Sequence, residues 1–260
     1  RGISMVPMRL PISTAANFYA LVSIYRNDGT VAITTGGVEC GQGINTKAAQ
    51  VCASALKLPL EMVSVKSANN LTSPNNACTA GSFSSDCVCY AVEQCCIQLN
   101  ARLDPIRVNF PNYTWIDIIK EAHVLGVNLN ATYMFSPIKD LKTYQVFGVS
   151  VLEVEVDILT GEHKILRADV LEDAGKSLNP FVDIGQIEGS YVMGLGHWTS
   201  EELTYDPDTG RLLTNRTLTY HIPGAKDIPI DFRVYILKNS DNPLGVLGSK
   251  GIGEPPILTT

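Results

Sequence analysis

Four glycine- and hydroxyl-rich segments constrain the fold of this chain more than any other feature. They are Gly36-Gly37-Val38-Glu39-Cys40-Gly41-Gln42-Gly43; Thr79-Ala80-Gly81-Ser82-Phe83-Ser84-Ser85-Asp86; Leu178-Asn179-Pro180 continuing through Asp183-Ile184-Gly185-Gln186-Ile187-Glu188-Gly189; and Gly248-Ser249-Lys250-Gly251-Ile252-Gly253-Glu254-Pro255-Pro256. The first three each lead into a helical pattern. The first-turn N–H groups of a helix have no intrahelical partner, and the helix dipole favours negative charge there. The first two segments therefore read as anion sites. Gly41 and Gly43 leave room for a ligand against the main chain, Gln42 offers an amide with donors and an acceptor, and Ser82, Ser84 and Ser85 add hydroxyls. Either loop taken alone also reads as a well-capped turn without a ligand. Gly41-Gln42-Gly43 lacks a third glycine three residues on, so neither loop has a dinucleotide-binding or P-loop pattern.

The fourth segment carries one carboxylate, Glu254, in front of two prolines. Pro255 and Pro256 fix their own φ and bias the preceding residue away from helix, so Glu254 is expected to be held extended on a stiff loop. One acid so placed suits a general base; a solvated turn has the same sequence signature.

Between these segments the pattern alternates. Residues 19–25 and 30–35 flank Asn27-Asp28-Gly29 and predict a hairpin. Asn45 reads as the N-cap of a helix through Ala48, Ala49, Cys52, Ala55 and Leu56, stopped near Pro59. Met62 to Val65 reads as a short strand. Asp86 is expected to cap a helix reaching about Leu103, and another helix is predicted from Trp115 to about Val124. Gln145 to Val156 and Lys164 to Leu171 alternate like paired strands around Thr160-Gly161-Glu162. Pro180 suits the first turn of a helix reaching about Leu203, and Phe232 to Leu237 reads as a strand. Hairpins with interspersed helices predict an α+β fold. The polar stretch Asp140-Leu141-Lys142-Thr143 suggests a division into residues 1–142 and 143–260.

A net charge of −6 argues against a nucleic-acid partner, and no apolar run reaches the roughly 18 residues of a membrane span. The seven cysteines contain no Cys-x-x-Cys and no zinc pattern, so they read as reduced thiols used as small apolar residues, which suits a reducing cytoplasm. His123, His163, His197 and His221 lack the spacing of a metal pair, and no residue is expected to ligate a metal directly. The four Asn-x-Ser/Thr sequons, at Asn70, Asn112, Asn130 and Asn215, read as chance matches. The chain starts at Arg1 without an initiator Met or a signal segment and stops inside an apolar run. Both ends read as cut, and the chain as part of a longer polypeptide.

The four segments, in this order, closely resemble the molybdenum-cofactor domain of the xanthine dehydrogenase and aldehyde oxidase family, over nearly the whole chain. The resemblance implies two subdomains of a molybdopterin-binding domain, 1–142 with the two glycine and serine loops and 143–260 with the catalytic glutamate loop. It implies that Cys40, Gly41 and Gln42 lie against the pterin, that Gly81, Ser82, Phe83 and Ser84 wrap its phosphate end, and that Gln186 contacts the pterin from the third helix. Glu254 matches the family's catalytic base, in hydroxylation with water as the oxygen source. The family often has Met at the position of Cys40 and Ala at that of Gly81. The runs Leu213 to Tyr220, Pro223 to Pro229 and Asn242 to Lys250 look more like aldehyde oxidases, of the insect type, than xanthine dehydrogenases. On this resemblance the whole protein would be a cytoplasmic homodimer acting on small-molecule aldehydes, passing electrons through 2Fe-2S clusters and FAD in other domains to oxygen. A purine hydroxylase or a degenerate, non-catalytic relative remains the alternative, and the fragment alone is expected to be inactive.

Overall fold

The computed structural model describes residues 1–140 and 142–259. It is α+β, with two four-stranded mixed sheets and several helices, and it divides into two compact units. One comprises Ile12–Tyr144 with Asn242–Gly251, the other Gln145–Asp241 with Arg1–Pro11 and Ile252–Thr260. The main division falls between Tyr144 and Gln145, with the chain's first residues grouped with the second stretch and Asn242–Gly251 with the first.

In order along the chain, the elements are β1 (Gly2–Ser13), β2 (Phe18–Ile24), β3 (Val31–Thr35), α1 (Ile44–Leu56), β4 (Val63–Val65), α2 (Ser84–Asn109), α3 (Trp115–Val124), β5 (Asn130–Phe135), α4 (Pro137–Asp140), β6 (Thr143–Val156), β7 (His163–Glu172), α5 (Pro180–Thr199) and β8 (Asp231–Ile236).

In the unit built on Ile12–Tyr144, the sheet order is β4-β3-β2-β5. β2 and β3 form the expected antiparallel hairpin, with Ala20 opposite Thr35 and Ile24 opposite Val31. Burial alternates strictly along β2, as period-2 geometry requires of a strand with one face on a core. α2 lies against β2 and β5 and against α1 and α3. Its inward face carries Cys87, Cys89, Cys95 and Cys96, all fully buried, with Val88, Val92, Leu99 and Leu103. Short apolar thiols let α1 approach closely, and the Cys96 and Cys52 sulfurs lie 3.7 Å apart. All seven cysteines are free; Cys40 and Cys78 are exposed. α3 spans the predicted range because Thr114 and Asp117 form a capping box around its first turn. α2 runs past the expected end at Leu103 to Asn109, with Pro105 inside it. Packing against α3 holds the final turns despite the lost N–H, which sequence propensity alone counts as a stop.

In the other unit the sheet order is β1-β6-β7-β8. β6 and β7 are antiparallel with a bulge at Glu153/Val154, whereas β7 and β8 are parallel and joined through α5. Asn179 caps α5, its side chain accepting from Val182 N at 3.4 Å, and Pro180 occupies the first turn as expected. Tyr191, fully buried, holds α5 to the sheet with its ring 4.8 Å from that of Phe232. β1 has no counterpart in the sequence reading. Pro7 and Pro11 argue against a strand, yet β1 is an edge strand, where a missing donor is tolerated. Among the described residues no helix is long and apolar enough to cross a membrane.

Glu172, the last residue of β7, is fully buried, and neither carboxylate oxygen has a partner among the described residues. Desolvation first, then the charges of Asp183 and Asp173, push its pKa from 4.5 up to about 9. The folded state therefore holds a proton that the unfolded chain releases above pH 4.5. Stability consequently falls as pH rises from about 4.5 through about 9. Glu172→Gln removes this dependence. In thermal melts across pH the variant is expected to match the parent near pH 4 and to melt progressively higher towards pH 9; equal melting temperatures at both ends would contradict the assignment.

Candidate functional site: two helix starts and a glycine loop

The first glycine loop closes on itself. The carboxylate of Glu39 accepts from Gly41 N at 2.9 Å and Gly43 N at 3.0 Å through one oxygen, and from Asn45 N at 3.0 Å through the other. It therefore takes up the N–H groups of the loop at Gly41, of the N-cap Gly43 and of Asn45 in the first turn of α1. The N-cap is Gly43 rather than Asn45, with φ of 77°, and Gly41 has φ of 101°. These left-handed positions let the chain curl round the carboxylate. The expectation of an anion site here is corrected: the anion is the chain's own side chain. Gln42 is likewise engaged, its Nε2 donating to Val38 O at 2.8 Å and its Oε1 accepting from Cys40 N at 2.8 Å and Cys40 Sγ at 3.2 Å. Cys40 and Gly41 sit exposed at the tip, with open space around Gly41. What this loop offers outward is its tip and one remaining amide hydrogen of Gln42.

The second loop is built the opposite way. α2 starts at Ser84 without a side-chain cap. The N–H groups of Ser82, Phe83, Ser84 and Ser85 have no hydrogen-bond partner among the described residues. Gly81 and Ser82 both have left-handed φ, 68° and 54°, so the chain turns sharply ahead of the helix. The Ser84 hydroxyl is spent on Ala80, accepting from its N and donating to its O, both at 3.1 Å. Phe83 is partly buried, its ring edge-on to that of Phe18. Asp86, expected as the cap, is instead inside the first turn and turned away from it. Its carboxylate, 5% exposed, pairs with Lys47 Nζ at 2.8 Å and accepts from the Tyr144 hydroxyl. Lys47 Nζ also reaches Ser85 Oγ at 3.3 Å. This leaves the helix start open, with a cation nearby. The two loops are tied by a bond from Val38 N to Thr79 Oγ1 at 3.0 Å.

The fourth segment reaches this unit through Gly251. A Cβ there would lie 2.0 Å from the carbonyl oxygen of Ser82, so only glycine fits. Gly251 N donates to the Tyr144 hydroxyl at 2.8 Å. The run from Asn242 is fixed by Asn242 Nδ2 donating to Ser249 O at 3.0 Å and by Val246, buried in the core. In the other unit, Glu254 is half-buried, and its carboxylate has no hydrogen bond or ion pair among the described residues. Pro255 and Pro256 open a 3-10 turn, Pro255–Thr259, anchored by Ser150 Oγ donating to Thr259 O at 2.8 Å. Gln186, on α5, is half-buried with open space beside Gly185 and Gly189. Sequence reasoning missed Glu39, Lys47, Asp86 and Tyr144 as organising residues. Glu39 alone had a visible signal, an acid inside a glycine loop just before a helix.

Residues 1–229 match the molybdopterin cofactor-binding domain family, and the chain belongs to that family. Among curated relatives it is 42% identical to aldehyde oxidase 3 of Rattus norvegicus over 98% of this chain and 20% of that protein. It is 40% identical to xanthine dehydrogenase/oxidase of Felis catus over 99% of this chain and 20% of that protein. The chain thus spans about a fifth of the length of these relatives. The fold is shared with the quinoline 2-oxidoreductase of Pseudomonas putida 86, with a TM-score of 0.82 and 22% identity over 99% of this chain and 37% of that one.

Removing the Glu39 carboxylate strands three N–H groups at the head of α1. Glu39→Ala is expected to cost about 1–2 kcal/mol in denaturant unfolding, as loss of a strong helix cap does. Unchanged stability would show that water replaces the carboxylate without cost.

Proposed function

We propose that this chain supplies part of the cofactor pocket of a molybdenum hydroxylase that oxidises aldehydes to carboxylic acids. The observation that carries the reading is the start of α2, where four consecutive N–H groups, from Ser82 to Ser85, have no partner among the described residues. A long helix with such an end and no cap of its own fits the phosphate end of a pterin cofactor. The residues present therefore suit the group that family membership implies. Gly81, Ser82, Phe83 and Ser84 would hold that end by main-chain donors, with Lys47 adding positive potential through Ser85. Cys40, Gly41 and Gln42 would border the pterin by shape and by the remaining Gln42 hydrogen, and Gln186 would add an amide.

When bound, the molybdenum cofactor supplies the two-electron redox centre. The net reaction converts an aldehyde and water into a carboxylic acid, two protons and two electrons. The chain's own contribution to the chemistry is Glu254. Its carboxylate oxygen takes the proton released as the water-derived oxygen adds to the substrate carbon. A base must be free to accept a proton, and the Glu254 carboxylate has no competing partner among the described residues. The electrons would leave through iron–sulfur centres and a flavin in other parts of the whole protein and pass to oxygen, in a cytoplasmic homodimer.

Aldehydes rather than purines are proposed on the character of residues 213–229 and 242–250. A purine site needs buried polar groups that reject analogues lacking them, whereas an apolar pocket accepts many aldehydes. The test uses the full-length holoprotein. Glu254→Gln is expected to lower aldehyde turnover by about 10² to 10⁴ while molybdenum content stays at the parental level. Gln42→Ala loosens the loop that it ties together, so molybdenum content itself is expected to fall. Near-parental turnover by Glu254→Gln with full molybdenum would remove the base assignment. Specificity constants for xanthine, benzaldehyde and a long-chain aldehyde decide the substrate class; a xanthine value well above both aldehydes would make the protein a purine hydroxylase.

A further inference from the structure

A buried polar chain crosses the unit built on Ile12–Tyr144. It runs from Lys47 Nζ to Asp86 at 2.8 Å, from Asp86 to the Tyr144 hydroxyl, and from that hydroxyl to Gly251 N at 2.8 Å. Each link comes from a different element: α1, α2, β6 and the terminal glycine loop. The side chains of Lys47 and Asp86 are 13% and 5% exposed, and Tyr144 is 7% exposed. Geometry fixes the direction of the chain. Asp86 is acceptor-only when ionised, so the phenolic hydrogen points to it and an oxygen lone pair is left for Gly251 N–H. Burial, then the Asp86 charge, pushes the Tyr144 phenol well above the usual tyrosine range, so that hydrogen stays in place at every working pH.

The end of this chain is a tight contact. Gly251 lies directly against the carbonyl of Ser82, the left-handed residue ahead of the open start of α2. One phenol therefore sets how the terminal loop rests on the loop proposed to hold the cofactor, three residues before Glu254 in the sequence. We infer that Tyr144, oriented by Asp86 and Lys47, is a positioning residue that clamps the Gly248–Gly251 loop onto the Gly81–Ser84 loop. Through that clamp it holds the Gly81–Ser84 loop, ahead of the open start of α2, in one shape. The consequence for catalysis rests on the function proposed above; the clamp itself does not.

The test compares the full-length holoprotein with Tyr144→Phe and, as a second variant that keeps the phenol, Asp86→Asn. Hydrogen exchange reads the clamp directly. Loss of one net hydrogen bond should speed exchange at the Gly251 amide about tenfold, while peptides from the cores of α1 and α2 keep their protection. Asp86→Asn should speed it less, because the amide oxygen can still orient the phenol. Turnover reads the consequence. A loosened cofactor loop should lower kcat about 10- to 100-fold with KM little changed. Unchanged exchange at Gly251 in both variants overturns the clamp whatever the activity. Faster exchange with parental kcat keeps the clamp and overturns its role in catalysis. A parent protein without molybdenum or turnover sinks the functional reading alone, and the exchange result still decides the clamp.

Discussion

A cation and a carboxylate buried together at the start of two helices organise much of what surrounds them. Removing charges from water is costly unless each finds a partner and further hydrogen bonds. Lys47 and Asp86 meet that condition only because α1 and α2 begin side by side and because the Tyr144 hydroxyl completes the Asp86 shell. The pair therefore adds a polar tie between the two helices to the close apolar packing below it. It also draws Asp86 away from its own helix end. An aspartate in the first turn ordinarily settles onto the free N–H groups. Here it is turned inward, and the end of α2 is left without an anion.

The two helix starts consequently have opposite fates. α1 is closed by Glu39, which reaches back through a curl of left-handed glycines to three main-chain donors. At the start of α2 the N–H groups of Ser82 to Ser85 have no partner among the described residues. A loop that satisfies its own backbone is rigid without a ligand and can serve as a preformed wall. An end with unsatisfied donors gains most from a ligand that brings negative charge. Residues 1–229 match the molybdopterin cofactor-binding domain family.

Much of the fold was legible in the sequence. The β2–β3 hairpin, α3, the β6–β7 pair and the Pro180 start of α5 all follow from local signals: a turn sequence, a capping box, alternation and a first-turn proline. Elements whose stability comes from neighbours were not legible. β1 holds two prolines and survives only as an edge, β5 is short and polar at its start, and the last turns of α2 persist beyond Pro105 because α3 covers them. For the candidate site, the sequence singled out the loops but not what their side chains do. Gln42 and Ser84 looked available and are tied within their own loops; Asp86 looked like a cap and is half of an ion pair.

By itself, the sequence determined the order of four glycine loops, the helices they open, the α+β class and the family, because each depends on residues close together in the chain. Only the tertiary structure decided which helix start is closed and which is open. It also decided that Lys47, Asp86, Tyr144 and Gly251, separated by up to two hundred positions, form one chain of polar contacts. The physical reason is that a buried charge or donor is satisfied by whatever the fold brings within about 3 Å, and that proximity is written in no local pattern.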